Sequence, residues 1–499
     1  MTTHNTSVRR NHTRIVIIVL LISLLLRWTL ILRGGQYYIS DETRYEVSRD
    51  AARFLLQGQV GDALRQFTIS PEHLLFKLVG IVPALMEPLL GTSLALPALF
   101  FSFFSALNLY LIFLLAQRSA GSSSEAVYAL LLAASCLSLL YYSRHLFPYD
   151  MAMSFGLLAL YVALLPYPSD QTSLLCGALS FLCFIAYNGY WPLAGFAMLA
   201  NVLTNHEKMT SMMRKAAFTA LGFLGPLALL IAAMLWSGTD MISAYRLFAT
   251  SITQGSFEEG WSLPFEYFWH TEYVVILILG ALAVIAIFGH VRHPRRDTML
   301  WLGGIVFIYL CLLIPSVFLH YFVVYGRLAR QMIPFLVLLS AQGLVQLEHR
   351  PVFGARISAL ILILAFIQAG WNFARAYGLT YPREFVALAQ SKYSPFEFSS
   401  KRLAFGAPVI CQNNGYIMQN AKYYVTPPEA VPQVQGELLL SDSHPLNFLP
   451  YQYDGYPPAI RQIFRKLKLR MSFYQVDEQF MSEANPAWTS IKNCVVRES

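Results

Sequence analysis

The run Leu74–Leu90, LLFKLVGIVPALMEPLL, decides how the chain threads a membrane. A helix crossing the hydrocarbon core needs about 20 mostly apolar residues, and this run nearly qualifies. It also holds Lys77, Pro83, Glu87 and Pro88, and charges and interior prolines both disfavour a lipid-facing span. About eleven other runs suit a crossing better: 15–32, 94–117, 124–144, 149–167, 171–187, 189–204, 214–236, 272–290, 298–319, 330–347 and 353–371.

Fixed charge resolves the ambiguous case. If 74–90 does not cross, the turns holding Arg118, then Lys208, Arg214 and Lys215, then Arg292, Arg295 and Arg296, then Arg350 and Arg356 share a side with the basic start Arg9, Arg10 and Arg14. Cytoplasmic connectors carry such an excess of Lys and Arg. A crossing at 74–90 would place those turns opposite the N-terminus. The expectation is an interfacial helix over 74–90, a cytoplasmic N-terminus and about eleven true spans.

Composition agrees. Of 499 residues 56% are hydrophobic and 13% charged, with mean hydropathy +0.48, whereas soluble domains carry roughly 25% charge. That much apolar sequence has to face lipid. The net charge of +8 could suit nucleic acid, but no basic helix or aromatic RNA-binding motif accompanies it, so no nucleic-acid partner is expected. Cys136, Cys176, Cys183 and Cys311 lie in apolar runs as small buried hydrophobes. Cys411 and Cys494 lie in the polar tail, where an oxidising compartment would permit a disulfide. The run 15–32 reads as an uncleaved anchor, since its end, Leu32-Arg33-Gly34-Gly35, lacks an A-x-A-like site. The sequons at Asn5 and Asn11 precede it and fall on the cytoplasmic side.

The opposite side receives 33–93, 145–148, 188, 237–271, 320–329 and the chain beyond about 372. These segments hold most of the polar sequence that is more than connector, so an active site would face away from the cytoplasm. Two domains are expected: 1–371, all-α and polytopic, with 33–93 as a first external loop of juxtamembrane helices, and 372–499, a small external α/β domain. In the tail, 408–411, 437–440 and 471–476 resemble strands, and 459–467 a basic amphipathic helix. Its many tyrosines and asparagines suit sugar rings, among other uses.

The strongest local signal follows the first span: Ser40-Asp41-Glu42-Thr43-Arg44-Tyr45-Glu46. Ser40 can cap a helix starting at Asp41, and adjacent acids suit its positive end. Val47, Ala51, Phe54 and Leu55 would form one apolar face. One reading is a capped amphipathic helix lying on the membrane. The other makes Asp41 or Glu42 a general base aimed at the bilayer surface. Moving a sugar from a phosphate leaving group to a hydroxyl needs a carboxylate to take the hydroxyl proton and cations, best arginines, to hold the departing phosphate. Arg327 and Arg330 stand at the external start of a span, where few cations are expected, and an anionic headgroup would account for them; snorkelling is the plainer account. Asp150, beside Arg144 and His145, reads either as a span-end ion pair or as a functional acid.

The run 40–46 resembles the Asp-Glu-x-Arg-Tyr signature in the first external loop of GT-C glycosyltransferases, nearest to the lipid A aminoarabinose transferases and the protein O-mannosyltransferase-like family. Further motifs continue the likeness over roughly residues 15–370: Ser70-Pro71-Glu72-His73, then Phe147-Pro148-Tyr149-Asp150, then Gly326-Arg327-Leu328-Ala329-Arg330-Gln331-Met332-Ile333-Pro334. The resemblance implies Asp41 as catalytic base, with Glu42, Glu72 and Asp150 serving acceptor positioning or a divalent cation. It implies Arg44, Arg144, Arg327 and Arg330 on the substrate. The family often has Pro or Lys where His73 stands, and usually Asp-Pro where this chain has Pro148-Tyr149-Asp150, so His73 or Lys77 is expected to supply the phosphate contact. A metal between Asp41, Asp150 and His270 is a further expectation, although hard cations want several oxygen ligands. In the same loop Trp261, Phe265, Tyr267, Phe268 and Trp269 suit an interfacial belt or a lid.

The implied activity is inverting transfer from a polyprenyl-phosphate sugar to a lipid, glycan or protein acceptor at the periplasmic face of a bacterial-type inner membrane. A polymerase or ligase using a diphosphate-linked donor would instead centre on a large late loop. A transporter would place ionisable groups and broken helices near the midplane in paired halves, a pairing the sequence lacks.

Overall fold

The structure, a computed structural model, describes residues 2–32, 44–69, 72–91, 95–120, 123–167, 169–204, 209–236, 243, 261–319, 324–350, 353–378, 403–405, 423–426, 436–445 and 468–476. Each apolar run expected to cross contains helix. Among the described residues seven helices are long and apolar enough to do so: His12–Leu32, Ala95–Ser119, Met209–Leu235, Val274–Arg292, Arg296–Phe318, Gly326–Glu348 and Gly354–Ala374. An eighth is bent. Over the described residues up to 378 the protein is an all-α polytopic membrane protein.

In chain order, α1 is Thr2–Leu32, α2 Tyr45–Leu56, α3 Val60–Ile69, α4 Leu74–Leu90, α5 Ala95–Ala120, α6 Ser123–Ser135, α7 Leu137–Leu140, α8 Tyr149–Ala163, α9 Asp170–Ala186, α10 Trp191–Leu203, α11 Met209–Trp236, α12 Leu263–Glu272, α13 Val274–Arg292, α14 Arg296–Leu313, α15 Gly326–Ala329, α16 Ile333–Glu348 and α17 Gly354–Gly378. The expected runs at 149–167, 171–187 and 189–204 are the shorter helices α8, α9 and α10. At 1.5 Å per residue, a 15-residue helix spans only about 22 Å.

The ambiguous run is α4, and it is amphipathic with an unusual sense. Leu78, Val82, Leu85, Met86 and Leu89 are exposed, while Lys77 and Glu87 are buried. Its charges turn inward onto α2, where Tyr45 and Arg49 donate to Glu87 Oε1 at 3.1 and 3.0 Å. The Ser48 hydroxyl donates to the Lys77 carbonyl at 2.8 Å. The helix expected from Asp41 begins, as described, at Tyr45; Ser40 and its cap lie outside the described residues. Ala51 of α2, Ala63 and Phe67 of α3, and Leu74 form a small apolar core with Met234 near the end of α11, and Leu230 and Ile231 pack on it. Helices α2, α3 and the start of α4 are thereby seated on the bundle.

The run 124–144, mostly apolar, is not one helix. It bends by 78° between Ser135 and Leu137. Breaking a buried helix exposes backbone groups that must find partners, and two charged side chains supply them. Glu272 accepts from the Leu137 and Ser138 amides at 2.8 and 2.7 Å. Arg27, buried in α1, donates to the Leu139 carbonyl at 3.1 Å and to Ser105 at 2.8 Å. After the break the chain makes a 3-10 turn, Tyr141–Arg144, and enters α8.

The most deeply buried long span is Gly326–Glu348. It carries polar groups that lipid would not tolerate, each answered by a neighbour: Ser340 donates to the Leu279 carbonyl at 2.8 Å, and Gln342 accepts from Thr298 at 2.8 Å. Helices α9 and α11 approach most closely at two glycines. A methyl group at Gly177 would lie 2.1 Å from the Thr219 carbonyl oxygen, and one at Gly222 equally close to that of Leu174. Small residues of this kind let membrane helices approach backbone to backbone.

The bundle is polarised. At one end basic side chains close helix C-termini: Arg118 on the Leu164 carbonyl at 2.9 Å, Lys215 on Thr204 at 2.7 Å, Arg296 on Leu203 at 3.2 Å. Cations are favoured there by the helix dipole. The other end holds the starts of α2, α4, α8, α10, α15 and α16. In the tail, four strands, β1 Leu403–Phe405, β2 Tyr423–Thr426, β3 Gly436–Pro445 and β4 Lys468–Val476, form a sheet in the order β1-β2-β4-β3. β1 and β2 run parallel and the other two pairings antiparallel. The strands expected at 437–440 and 471–476 fall in β3 and β4. Residues 408–411, 459–467, Cys411 and Cys494 lie outside the described residues.

Candidate active site

Five residues named from sequence converge at the polarised end. Arg44, immediately before α2, forms an ion pair with Glu72. Lys77, one turn into α4, lies 3.7 Å from the same carboxylate. His73 is the residue before α4 and holds a left-handed backbone, φ 55° and ψ 33°, which is uncommon without glycine. Its ring stacks on Tyr187 with centroids 5.1 Å apart and planes 10° from parallel. Tyr187 in turn accepts a hydrogen bond from Arg327 Nε at 2.8 Å. Arg327 also covers the rings of Tyr325, 4.3 Å away, and Tyr149, 5.6 Å away. The turn into α4 and the late span therefore meet through His73 and Tyr187.

The electrostatics follow from that meeting. Burial, then the charges of Arg44, Lys77 and Arg327, hold the His73 imidazole well below its ordinary range, so it is neutral at pH 7. Burial also lowers Lys77, to about 8, against Glu72, which works to raise it. Arg44 and Arg327 are half-buried, whereas His73 and Lys77 are buried. The cluster gathers three cationic side chains around His73, with the Glu72 carboxylate against two of them, Arg44 and Lys77. An excess of cations over carboxylates suits an anion, and guanidinium groups suit phosphate through paired N–H donors.

A second layer lies behind it. Pro148 precedes α8 and places Asp150 in the first turn, where the helix dipole favours a carboxylate. Asp150 is bound by Arg330, whose guanidinium covers the Tyr142 ring at 4.8 Å. Asn108 donates to the Asp150 carbonyl at 3.0 Å and accepts from Ser154 at 2.8 Å. The acid at the end of the earlier span thus pairs with Arg330. Arg144, at the end of the 3-10 turn, is fully buried.

Asp41 and Glu42 lie outside the described residues, three and two positions before Arg44. His270 is on α12 with Nδ1 3.0 Å from the Glu266 carbonyl of its own helix. Asp150 is engaged by Arg330, and among the described residues no three His, Cys, Asp or Glu side chains come together to hold a metal ion. The described donors do not fit the expected divalent cation. Of the aromatics around His270, Trp261, Phe265 and Trp269 are exposed, while Tyr267 and Phe268 are buried.

Tyr187, Tyr149 and Tyr142 are contacts that motif reading passes over. Tyr149 stands inside a quoted motif. Tyr187 opens the polar interruption Tyr187-Asn188-Gly189-Tyr190 between two apolar runs, which is a visible signal, since a span boundary rich in tyrosine needs partners for its hydroxyls.

No protein-family model matches the chain, and no curated protein does. Among solved structures it is similar to the ArnT protein from Cupriavidus metallidurans bound to undecaprenyl phosphate, with TM-score 0.47 and 10% identity over 83% of this chain and 93% of that one. It is also similar to the archaeal oligosaccharyltransferase AglB from Archaeoglobus fulgidus in complex with an inhibitory peptide and a dolichol-phosphate, with TM-score 0.46 and 12% identity over 84% of this chain and 69% of that one. The Archaeoglobus fulgidus oligosaccharyltransferase complex with Zn and sulfate gives TM-score 0.44 at 12% identity, over 82% and 68%.

Proposed function

We propose that this chain is an inverting, GT-C-type membrane glycosyltransferase. It takes a sugar from a polyprenyl-phosphate carrier and passes it to an acceptor hydroxyl at the periplasmic face of a bacterial-type inner membrane. The observation that carries the reading is the meeting of Arg44, Lys77 and Arg327 around His73, at the end of the bundle opposite the basic helix caps.

The chemistry needs that excess of positive charge. Asp41 takes the proton from the acceptor hydroxyl. The oxygen attacks the anomeric carbon from the face opposite the phosphate, and the bond between that carbon and the phosphate oxygen breaks. Its electron pair stays on the phosphate, which passes from a singly charged diester to a doubly charged monoester. Cations that see more charge after bond cleavage than before stabilise the transition state over the ground state. Arg44 and Arg327 hold the phosphate oxygens, and Lys77 adds charge from beneath. Glu72 spaces Arg44 and Lys77, which would otherwise repel. Glu42 orients the acceptor, and the Asp150–Arg330 pair with Arg144 supports the wall behind the sugar.

In this reading about eleven helices cross, α4 lies in the interface with its leucines in lipid, and 372–499 forms an external domain. The test is transfer by the purified full-length protein with polyprenyl-phosphate sugars, wild type against Asp41→Asn. Loss of a positioned general base removes about 100- to 10,000-fold in rate. Transfer at the wild-type rate in Asp41→Asn would remove Asp41 from the mechanism.

A further inference from the structure

Tyr187 occupies a position that the transfer chemistry itself does not require. Its backbone is extended, φ −152° and ψ 110°, at the end of α9. It is anchored on both sides: its amide donates to the Cys183 carbonyl at 3.2 Å, and its own carbonyl accepts from the Tyr190 amide at 2.9 Å. The side chain is buried, and besides the Tyr190 ring, with centroids 5.6 Å away, it meets groups on three further sides. The His73 ring lies flat on one face, the Tyr149 ring stands edge-on with centroids 4.8 Å away, and Arg327 Nε donates to the hydroxyl. Tyr190 adds a fourth tie, donating to the Arg327 carbonyl at 3.2 Å.

We propose that Tyr187 is a positioning residue that sets the Arg327 guanidinium through its hydroxyl and the His73 ring through its face, fixing the phosphate-binding groups of the late span against those of the first external segment. The inference rests on the phosphate site proposed above. An arginine side chain has several rotatable bonds, and its usefulness to a phosphate depends on where its plane is held. One hydrogen bond to Nε, together with two aromatic faces, fixes that plane. The strained His73 backbone is held in the same way: a left-handed histidine persists only when its surroundings over-determine it, and the stacked ring supplies that constraint.

The test uses the full-length protein in detergent with undecaprenyl phosphate, free of sugar, as the probe. Tyr187→Phe keeps the ring and removes the hydroxyl, and is expected to weaken binding about tenfold, with the melting temperature unchanged. Arg327→Ala is expected to weaken it at least as much. The double variant is expected to bind no worse than Arg327→Ala alone, because the hydroxyl acts through that guanidinium. Tyr187→Leu, which also frees His73, is expected to lose more than Tyr187→Phe. Wild-type binding by Tyr187→Phe, or losses that simply multiply in the double variant, would overturn the positioning role while leaving the phosphate site standing. A wild type that fails to bind undecaprenyl phosphate overturns both. A wild type that binds it, shows the non-additive pattern and transfers no sugar overturns the reaction alone.

Discussion

At the scale of single residues, Lys77 is the group whose titration reaches the physiological range. Burial brings its ammonium down to about 8, with Glu72 opposing. Only the protonated form attracts phosphate, so kcat/KM for the donor is expected to hold level below neutrality and to fall about tenfold per pH unit above about 8. Lys77→Arg removes that alkaline limb, because a guanidinium stays charged. Glu72→Gln shifts the limb to lower pH, because it deletes the one charge that favours the ammonium. A pH–rate profile on the three proteins checks both directions, and a limb unmoved by Glu72→Gln refutes the assignment. The residues of this site were partly legible in sequence. Arg44, Glu72, His73 and Lys77 sit in short polar motifs flanked by apolar sequence. Tyr187 was legible only as a boundary tyrosine in need of a partner, since the partners themselves, His73 and Arg327, are 114 residues before it and 140 after it.

At the scale of helices, hydropathy located the apolar runs because lipid and protein interior impose the same demand on most of their length. It could not distinguish a straight helix from a broken one. The bend after Ser135 has no proline or glycine to announce it. The groups that answer it, Arg27 and Glu272, come from α1 and α12, and both bind backbone just after the break, at Leu137, Ser138 and Leu139. Prolines and charges in α4 were a better guide, and they do mark a helix that seals its ionic side against a neighbour. The close contact of α9 and α11 gives a direct test of packing. Gly177→Ala places a methyl against the Thr219 carbonyl, and overpacking of this kind costs about 1–3 kcal/mol. A lowered melting temperature in detergent is expected. Gly303→Ala, where a methyl meets nothing within 4 Å, is expected to leave it unchanged or raised.

At the scale of the whole molecule, the two ends differ in chemistry as well as charge. One end spends its arginines and lysines on helix carbonyls, and the other gathers them around a carboxylate and a histidine. Reporter fusions can assign the sides. A fusion at 206, in the turn before the basic start of α11, is expected to read as cytoplasmic, and one after residue 380 as external. Both on one side would refute the placement of the site outside. The alternation of basic and poor connectors made this polarity legible in sequence, whereas the convergence of distant segments at one end required the fold.

The buried guanidinium of Arg27 also bears on how the protein is made. It sits in α1, and its partners Ser105 and Leu139 follow 78 and 112 residues later in the chain. A charge of this kind costs about 2.5–3.5 kcal/mol at the centre of an inserting helix. Helix α1 is therefore uncomfortable in lipid by itself and reaches its resting place only after later chain arrives, so insertion of these spans follows an order.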